Sequence, residues 1–275
     1  MAYPPDRNDA AVNGALRSVH RRPMATGRSI MALVLREMQT TYGRSPGGYL
    51  WAILEPVGGI ALLTLIFSTG FRAPPIGKDF APFYASGMVP FFFFTTVSGR
   101  IADSLRFSRQ LLAYPSVTFI DALVGRLIVN GMTQILVGYI VFTGVFMIYD
   151  TQGAIDPERI VLSYVMVASL ASGIGVLNCF LTMRFAVWQN IWSILTRPLF
   201  ILSCIFFLFE GIPQPYRDIL WYNPLIHVIG MMRAGFYSSY DASYVSVSYV
   251  MGISAVTLTT GLLFLYRYHR DLLDR

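Results

Sequence analysis

Charged side chains make up 13% of the 275 residues, where an ordinary soluble domain carries about 25%. Lysine is nearly absent, with Lys78 alone beside 20 arginines. That deficit excludes a soluble globular protein. Apolar residues account for 55% of the chain and fill it from Tyr49 to Tyr266, so no polar stretch remains for a separate soluble catalytic domain. The net charge of +6 does not point to nucleic acid, because no basic stripe with interleaved aromatics lies outside the apolar runs. It reads instead as charge that sets membrane topology. Cysteine is limited to Cys179 and Cys204, both inside apolar runs, which excludes a disulfide framework and a cysteine-rich metal site.

Catalytic constellations are missing too. His20, His227 and His269 are scattered, so no zinc-binding histidine pair exists. Gly43-Arg44-Ser45-Pro46-Gly47 has the letters of a nucleophile elbow, but that motif has meaning on a strand-to-helix turn, and here it joins an interfacial helix to a membrane span. No phosphate-binding loop occurs, since Gly77-Lys78 is followed by Asp79. The chain is therefore expected to be a non-catalytic subunit that binds no metal and no cofactor. If nucleotide powers its work, the ATPase is another chain.

What is present is long apolar runs. A bilayer core of about 30 Å needs roughly 20 apolar residues per helix, and six segments qualify: Tyr49–Phe71, Phe83–Gly99, Val117–Tyr149, Ile160–Met183, Val187–Phe209 and Val245–Tyr266. The fold class is an all-α polytopic membrane protein of six transmembrane helices. Fourteen basic residues fall on the side of the two termini and five on the other, which makes both termini cytoplasmic by the positive-inside rule. No apolar core follows the first basic residues, so no cleaved signal peptide is expected.

Residues 1–28 read as a flexible cytoplasmic N-terminus. Between 29 and 44, Ile30, Leu33, Val34, Met38 and Tyr42 recur at helical spacing, which predicts an amphipathic helix lying in the interface, either as an anchor alone or as a dock for a cytoplasmic partner. The outer segment 210–244 is too apolar for a solvated linker, yet Pro213, Pro215 and Pro224 interrupt it. Short helices re-entering or lying on the outer half of the membrane fit better, and irregular backbone there needs protein or a water-filled cavity to satisfy it.

Ionisable residues inside spans are functional candidates by default. Glu55 lies six residues into the first span, roughly 9 Å deep, and Arg197 lies near mid-depth in the fifth. They are candidates for an ion pair, within a subunit or between two, unless each is satisfied separately. Tyr49 and Trp51 with the Phe91–Phe94 run offer aromatic faces of the kind that stack on sugar C–H faces; lipid-facing packing is the alternative.

Several stretches together resemble a known family. Leu35-Arg36-Glu37 followed by Gly48-Tyr49-Leu50-Trp51-Ala52-Ile53-Leu54-Glu55-Pro56 is similar to the entry of the first span in membrane subunits of capsular polysaccharide ABC exporters. Gly87-Met88-Val89-Pro90-Phe91-Phe92-Phe93-Phe94 resembles their second span. Arg197-Pro198-Leu199-Phe200, Ser203-Cys204-Ile205 and Trp221-Tyr222-Asn223-Pro224-Leu225-Ile226-His227-Val228 resemble the fifth span and outer gate. The likeness runs from about Ile30 to Tyr266 and is shared more loosely with O-antigen, teichoic-acid and lipooligosaccharide exporters.

The resemblance implies a type-2 ABC exporter half in the bacterial inner membrane. It would be a homodimer bound to two ATPase subunits, which hold ATP and Mg, and it would move a lipid-linked polysaccharide. A periplasmic co-polymerase or adaptor is a further candidate partner. Residues 29–44 would be the interface helix and 45–275 the six-span domain, with a coupling region at 100–115 and gate helices within 210–244. Arg36, Glu37, Asp103, Arg106 and Arg109 would face the ATPase, with Ile101, Leu105, Leu111 and Leu112 as anchors. Spans one and five would form the dimer interface, placing Glu55 and Arg197 there. Tyr49, Trp51, Phe91, Phe92, Arg100, Arg126 and Arg233 are candidates for the substrate path, the arginines because many capsule chains are acidic.

Two other classes compete. An ion-coupled carrier or channel predicts more intramembrane carboxylates than Glu55, and a membrane-embedded transferase predicts a metal or nucleophile cluster. An exporter of another substrate on the same scaffold differs only in cavity shape.

Overall fold

The computed structural model describes residues 25–42, 48–70, 73–112, 117–149 and 155–273. Among the described residues the secondary structure is entirely helical. The first helix, α1 (Ala25–Tyr42), begins four residues before the expected start. It turns Leu33 and Glu37 inward while Met31, Leu35 and Met38 remain exposed, so its outward stripe is apolar.

Two helices that look alike by composition are buried very differently. Of the apolar stretch of α2 (Gly48–Gly70) only 11% is buried, against 78% for α3 (Phe80–Ala102). α3 is the central element. α6 (Phe119–Ile148), α7 (Pro157–Arg184) and α10 (Pro224–Phe236) all pack on it, and α11 (Val247–Leu273) lies along α7. Between α3 and α6 the chain makes two single-turn helices, α4 (Ser104–Phe107) and α5 (Arg109–Leu112).

Local chemistry fixes the helix starts. Thr118 opens α6: its hydroxyl accepts from the Asp121 N–H at 3.2 Å and its own N–H donates to the Asp121 carboxylate at 2.9 Å, a reciprocal cap. Asp156 accepts from the Glu158 and Arg159 N–H groups, with Pro157 as the first residue of α7, where its missing N–H costs nothing.

Among the described residues five helices are long and apolar enough to cross a membrane: 50–70, α3, α6, α7 and 247–268. The expected fifth span is different. Its helix, α8 (Trp188–Leu202), has 15 residues, about 22 Å, and stops seven residues before the expected end at Phe209. Beyond it Cys204 adopts φ 61°, a left-handed backbone that a non-glycine residue rarely takes. Irregular backbone leads from there to a single 3-10 turn (Phe209–Gly211) and a short α9 (Tyr216–Trp221). The Asn223 side chain joins the two sides of this break, donating to the Leu202 carbonyl at 3.0 Å and accepting from the Leu225 N–H at 3.1 Å at the start of α10.

Candidate functional site

The chemistry-bearing residues gather at two places. The first lies where α1, the end of α3, α4 and the start of α6 meet. α1 approaches α6 closely at Gly125, where an added Cβ would stand 3.3 Å from the Leu33 Cβ. Next to it the Arg126 guanidinium, 6% exposed, has its Nε 3.4 Å from the Glu37 carboxylate, itself 3% exposed. The same guanidinium donates to the Arg100 carbonyl at 2.8 Å and lies 4.2 Å over the Phe107 ring. Arg36 stacks over that ring at 5.0 Å.

Outward of this junction the segment 100–112 is amphipathic. Ile101 and Leu105 are buried, Leu111 and Leu112 half-buried, and Arg100, Arg106 and Arg109 exposed. Arg106 pairs loosely with Asp103 at 3.9 Å and donates to the Gln189 side-chain amide oxygen (Oε1) at 3.3 Å, tying this segment to the entry of α8. Trp188 beside it donates to Asn178 on α7 at 3.0 Å. Residues 113–115 of the expected coupling region lie outside the described residues, as do the 43–47 elbow motif and the side chain of Tyr49.

The second gathering is the outer segment. Arg233, on α10, is 1% exposed. Its guanidinium donates to the carbonyls of Ile205 at 2.9 Å and Phe207 at 3.0 Å and lies 4.3 Å over the Phe83 ring. Two carbonyls of the irregular strip after α8 are thereby paired with protein. His227 is fully buried and joins the α9 end to the α11 start. Its Nε2 donates to the Trp221 carbonyl at 2.8 Å, and its Nδ1 accepts from the Ser246 N–H at 3.2 Å. Burial pushes its pKa below the ordinary value. In the following loop the Tyr240 hydroxyl donates to Glu210 at 3.3 Å and meets the Tyr244 hydroxyl at 3.1 Å; burial pushes Tyr240 up to about 12.

The candidate path residues are not collected in one place. Arg126 and Arg233 occupy the two separate clusters just described, and Arg100 is exposed at the end of α3. Trp51 is 72% exposed, while Phe91 is 5% exposed. Phe91 begins a column of rings: Phe91 to Phe200 at 5.1 Å, Phe200 to Phe206 at 5.2 Å, and Phe206 to Phe67 at 5.8 Å, which spans α3, α8 and α2. Phe92 packs edge-on to Phe91 at 6.3 Å. Glu55 and Arg197 are both exposed on the single chain, and no ion pair joins them within it among the described residues.

Among the described residues no three His, Cys, Asp or Glu side chains come together in a way that could hold a metal ion; Cys179 and Cys204 are free and buried. Phe107, the ring between two arginines, is the residue sequence reasoning missed. Its signal was available: it is the single aromatic among residues 100–112, set in an arginine-rich stretch. The Thr118-x-x-Asp121 cap was also readable as a capping-box pattern.

Comparison with known proteins adds a family and relatives. Residues 28–237 match the family described as ABC-2 type transporter. The polysialic acid transport protein KpsM of Escherichia coli is 31% identical over 243 residues, covering 88% of this chain and 94% of that protein. The capsule polysaccharide export inner-membrane protein CtrC of Neisseria meningitidis serogroup A is 23% identical over 88% of this chain and 92% of its own length. The corresponding BexB of Haemophilus influenzae is 24% identical over 89% and 92%.

Proposed function

We propose the following function, proceeding from the fact that the chain belongs to the ABC-2 type transporter family: it is the transmembrane subunit of an ATP-powered exporter that moves lipid-linked capsular polysaccharide across a bacterial inner membrane. The observation that carries this reading is the 31% identity to a polysialic acid transport protein over 94% of that protein's length. A match of that extent takes in the membrane helices and the outer segment together, not one shared motif.

The chain contributes helices and carbonyl-satisfying side chains, and the ATP and Mg that drive transport belong to two ATPase subunits. The exposed arginines Arg106 and Arg109 with Asp103 supply the surface those subunits meet. α8 together with the irregular strip after it makes a sixth crossing, which returns the C-terminus to the cytoplasmic side of the N-terminus. α9 and α10 form the outer gate. α2 and α8, the least buried of the apolar helices, face a second copy of the chain, and the ring column from Phe91 to Phe67 lies on that side of the subunit. There a sugar chain in transit meets aromatic faces, the half-buried Phe92 among them, with the exposed Trp51 elsewhere on α2.

Purification of the tagged chain from its native membrane tests this. An ATPase subunit should accompany it in equal copy number, and the reconstituted complex should hydrolyse ATP faster with lipid-linked acidic polysaccharide than with hydrophobic drugs. A chain that purifies alone, or an ATPase indifferent to polysaccharide, would sink the proposal.

A further inference from the structure

We infer that Arg126 is the joint through which movement of the ATPase-facing segment reaches the membrane helices, with Phe107 as the element that transmits the push. The inference rests on the reading that a separate ATPase drives this chain, and it deepens that reading by assigning positioning residues.

Four chain segments converge on the one guanidinium. It pairs with Glu37 of α1 at 3.4 Å, donates to the carbonyl of Arg100 at the end of α3 at 2.8 Å, stacks 4.2 Å over Phe107 of α4, and is carried by α6. The void among Leu33, Glu37, Phe107, Ala122, Gly125 and Arg126 is only about 10 Å³, at the lower limit of what holds a water molecule. A buried pair that loses one partner leaves an uncompensated charge, so α1 and α6 cannot separate at this point without a large penalty. They move as one body.

Phe107 sits differently. Its ring meets the Arg126 and Arg36 guanidiniums, yet 36% of the residue is exposed, on the same short segment as the exposed Arg106 and Arg109. A partner that displaces this segment moves the ring, and the first membrane-helix side chain the ring meets is Arg126. Cation–π contact has a preferred geometry over the ring face, so a sliding ring pulls the guanidinium with it, and with it the end of α3 through the Arg100 carbonyl. Coupling of this kind travels through packed and hydrogen-bonded contacts that have discrete arrangements. Arg126 acts here from inside the fold, by position and not by contact with cargo.

The test uses the complex with its ATPase and three variants. Phe107→Leu keeps an apolar side chain at a part-exposed position, so folding survives; Phe107→Trp keeps a ring face; Glu37→Gln frees Arg126 from its pair. Three quantities are read: ATPase subunit recovered with the chain, ATP hydrolysed by the reconstituted complex, and polysaccharide extracted from the surface of intact cells. Phe107→Leu and Glu37→Gln should keep the ATPase bound but lower polysaccharide exported per ATP hydrolysed by roughly fivefold or more, the low end of typical coupling effects. Phe107→Trp should stay within about twofold of the parent. An unchanged export-to-hydrolysis ratio in Phe107→Leu overturns the joint. So does a parallel loss of bound ATPase and export, which makes Phe107 a docking residue. If the parent chain carries no ATPase, the functional reading fails, and the joint fails with it.

Discussion

Arg233 donates a 2.9 Å hydrogen bond to the backbone carbonyl of Ile205, and so a side chain from α10 closes the broken end of α8. The sequence between them turns through Cys204 at φ 61°, and two of the carbonyls it releases from helical pairing, those of Ile205 and Phe207, are taken up by one guanidinium. An unsatisfied buried carbonyl costs about 1–3 kcal/mol. Arg233→Met, close in volume and unable to donate, should therefore lower stability by about 2 kcal/mol or more, seen as an earlier thermal unfolding transition of the purified protein in detergent. Arg233→Lys, which can reach one carbonyl, should fall between. Were Arg233 purely a charge along the path, the methionine variant would unfold with the parent and fail only in export.

The break in α8 also marks the boundary of what sequence could show. The requirement of roughly 20 apolar residues per span is local, so α3, α6, α7 and α11 were legible from composition with ends off by a few residues. Residues 187–209 satisfy the same rule, and nothing local reveals that the helix stops at Leu202. Its end is set by Asn223 and Arg233, which reach back from the next segment. Glu37 is the other case. Helical spacing put it on the polar side of α1 with Arg36, and the structure turns it inward because Arg126, far along the chain, waits there. Phe107 went unnoticed for the same reason: its meaning comes from two arginines on other helices.

Among the described residues Glu55 and Arg197 have no ion-pair partner on the single chain, and they lie on the two apolar helices with the smallest buried share, α2 and α8. In a dimer that joins those faces they meet in a medium where an unpaired charge is costly. Glu55→Arg should abolish export and reduce crosslinking between subunits, Arg197→Glu should do the same, and the double exchange should recover a substantial part of both. Two single variants with full activity, or a double variant no better than either, would count against the pair.

Close helix contact makes a sharper stability prediction. α11 meets α7 at Gly261, where an added Cβ would stand 2.7 Å from the Leu177 nitrogen and 2.9 Å from the Leu177 Cα. Those are backbone atoms that cannot swing aside, and small residues at such crossings are what allow membrane helices to approach closely. Gly261→Ala should cost about 1–3 kcal/mol. Gly252, on the same helix, has nothing within 4 Å of its Cβ position, so Gly252→Ala should be neutral or slightly stabilising. Comparing the two unfolding temperatures separates packing from intrinsic helix propensity, because both substitutions make the same change in propensity.

The His227 clamp predicts a pH dependence of definite sign. Its Nε2 proton goes to the Trp221 carbonyl and its Nδ1 lone pair to the Ser246 N–H, so the folded protein holds the neutral ring; the rings facing it are Trp221, Tyr244 and Tyr249. Burial lowers the folded pKa, while the unfolded chain has the ordinary value near about 6.5. As pH falls, the unfolded chain therefore takes up the proton first. The stabilisation is complete above about 6.5 and is lost as pH falls from there to the folded value, by up to about 1.4 kcal/mol per pH unit within that window. Unfolding temperatures measured from pH 7.5 to 5 should drop for the parent below about 6.5. His227→Gln, which can still donate through an amide but has nothing to titrate in that range, should start from a lower temperature and show a flatter profile. If the parent and the glutamine variant lose stability in parallel, carboxylates elsewhere set the acid response and the histidine holds the outer segment without sensing pH.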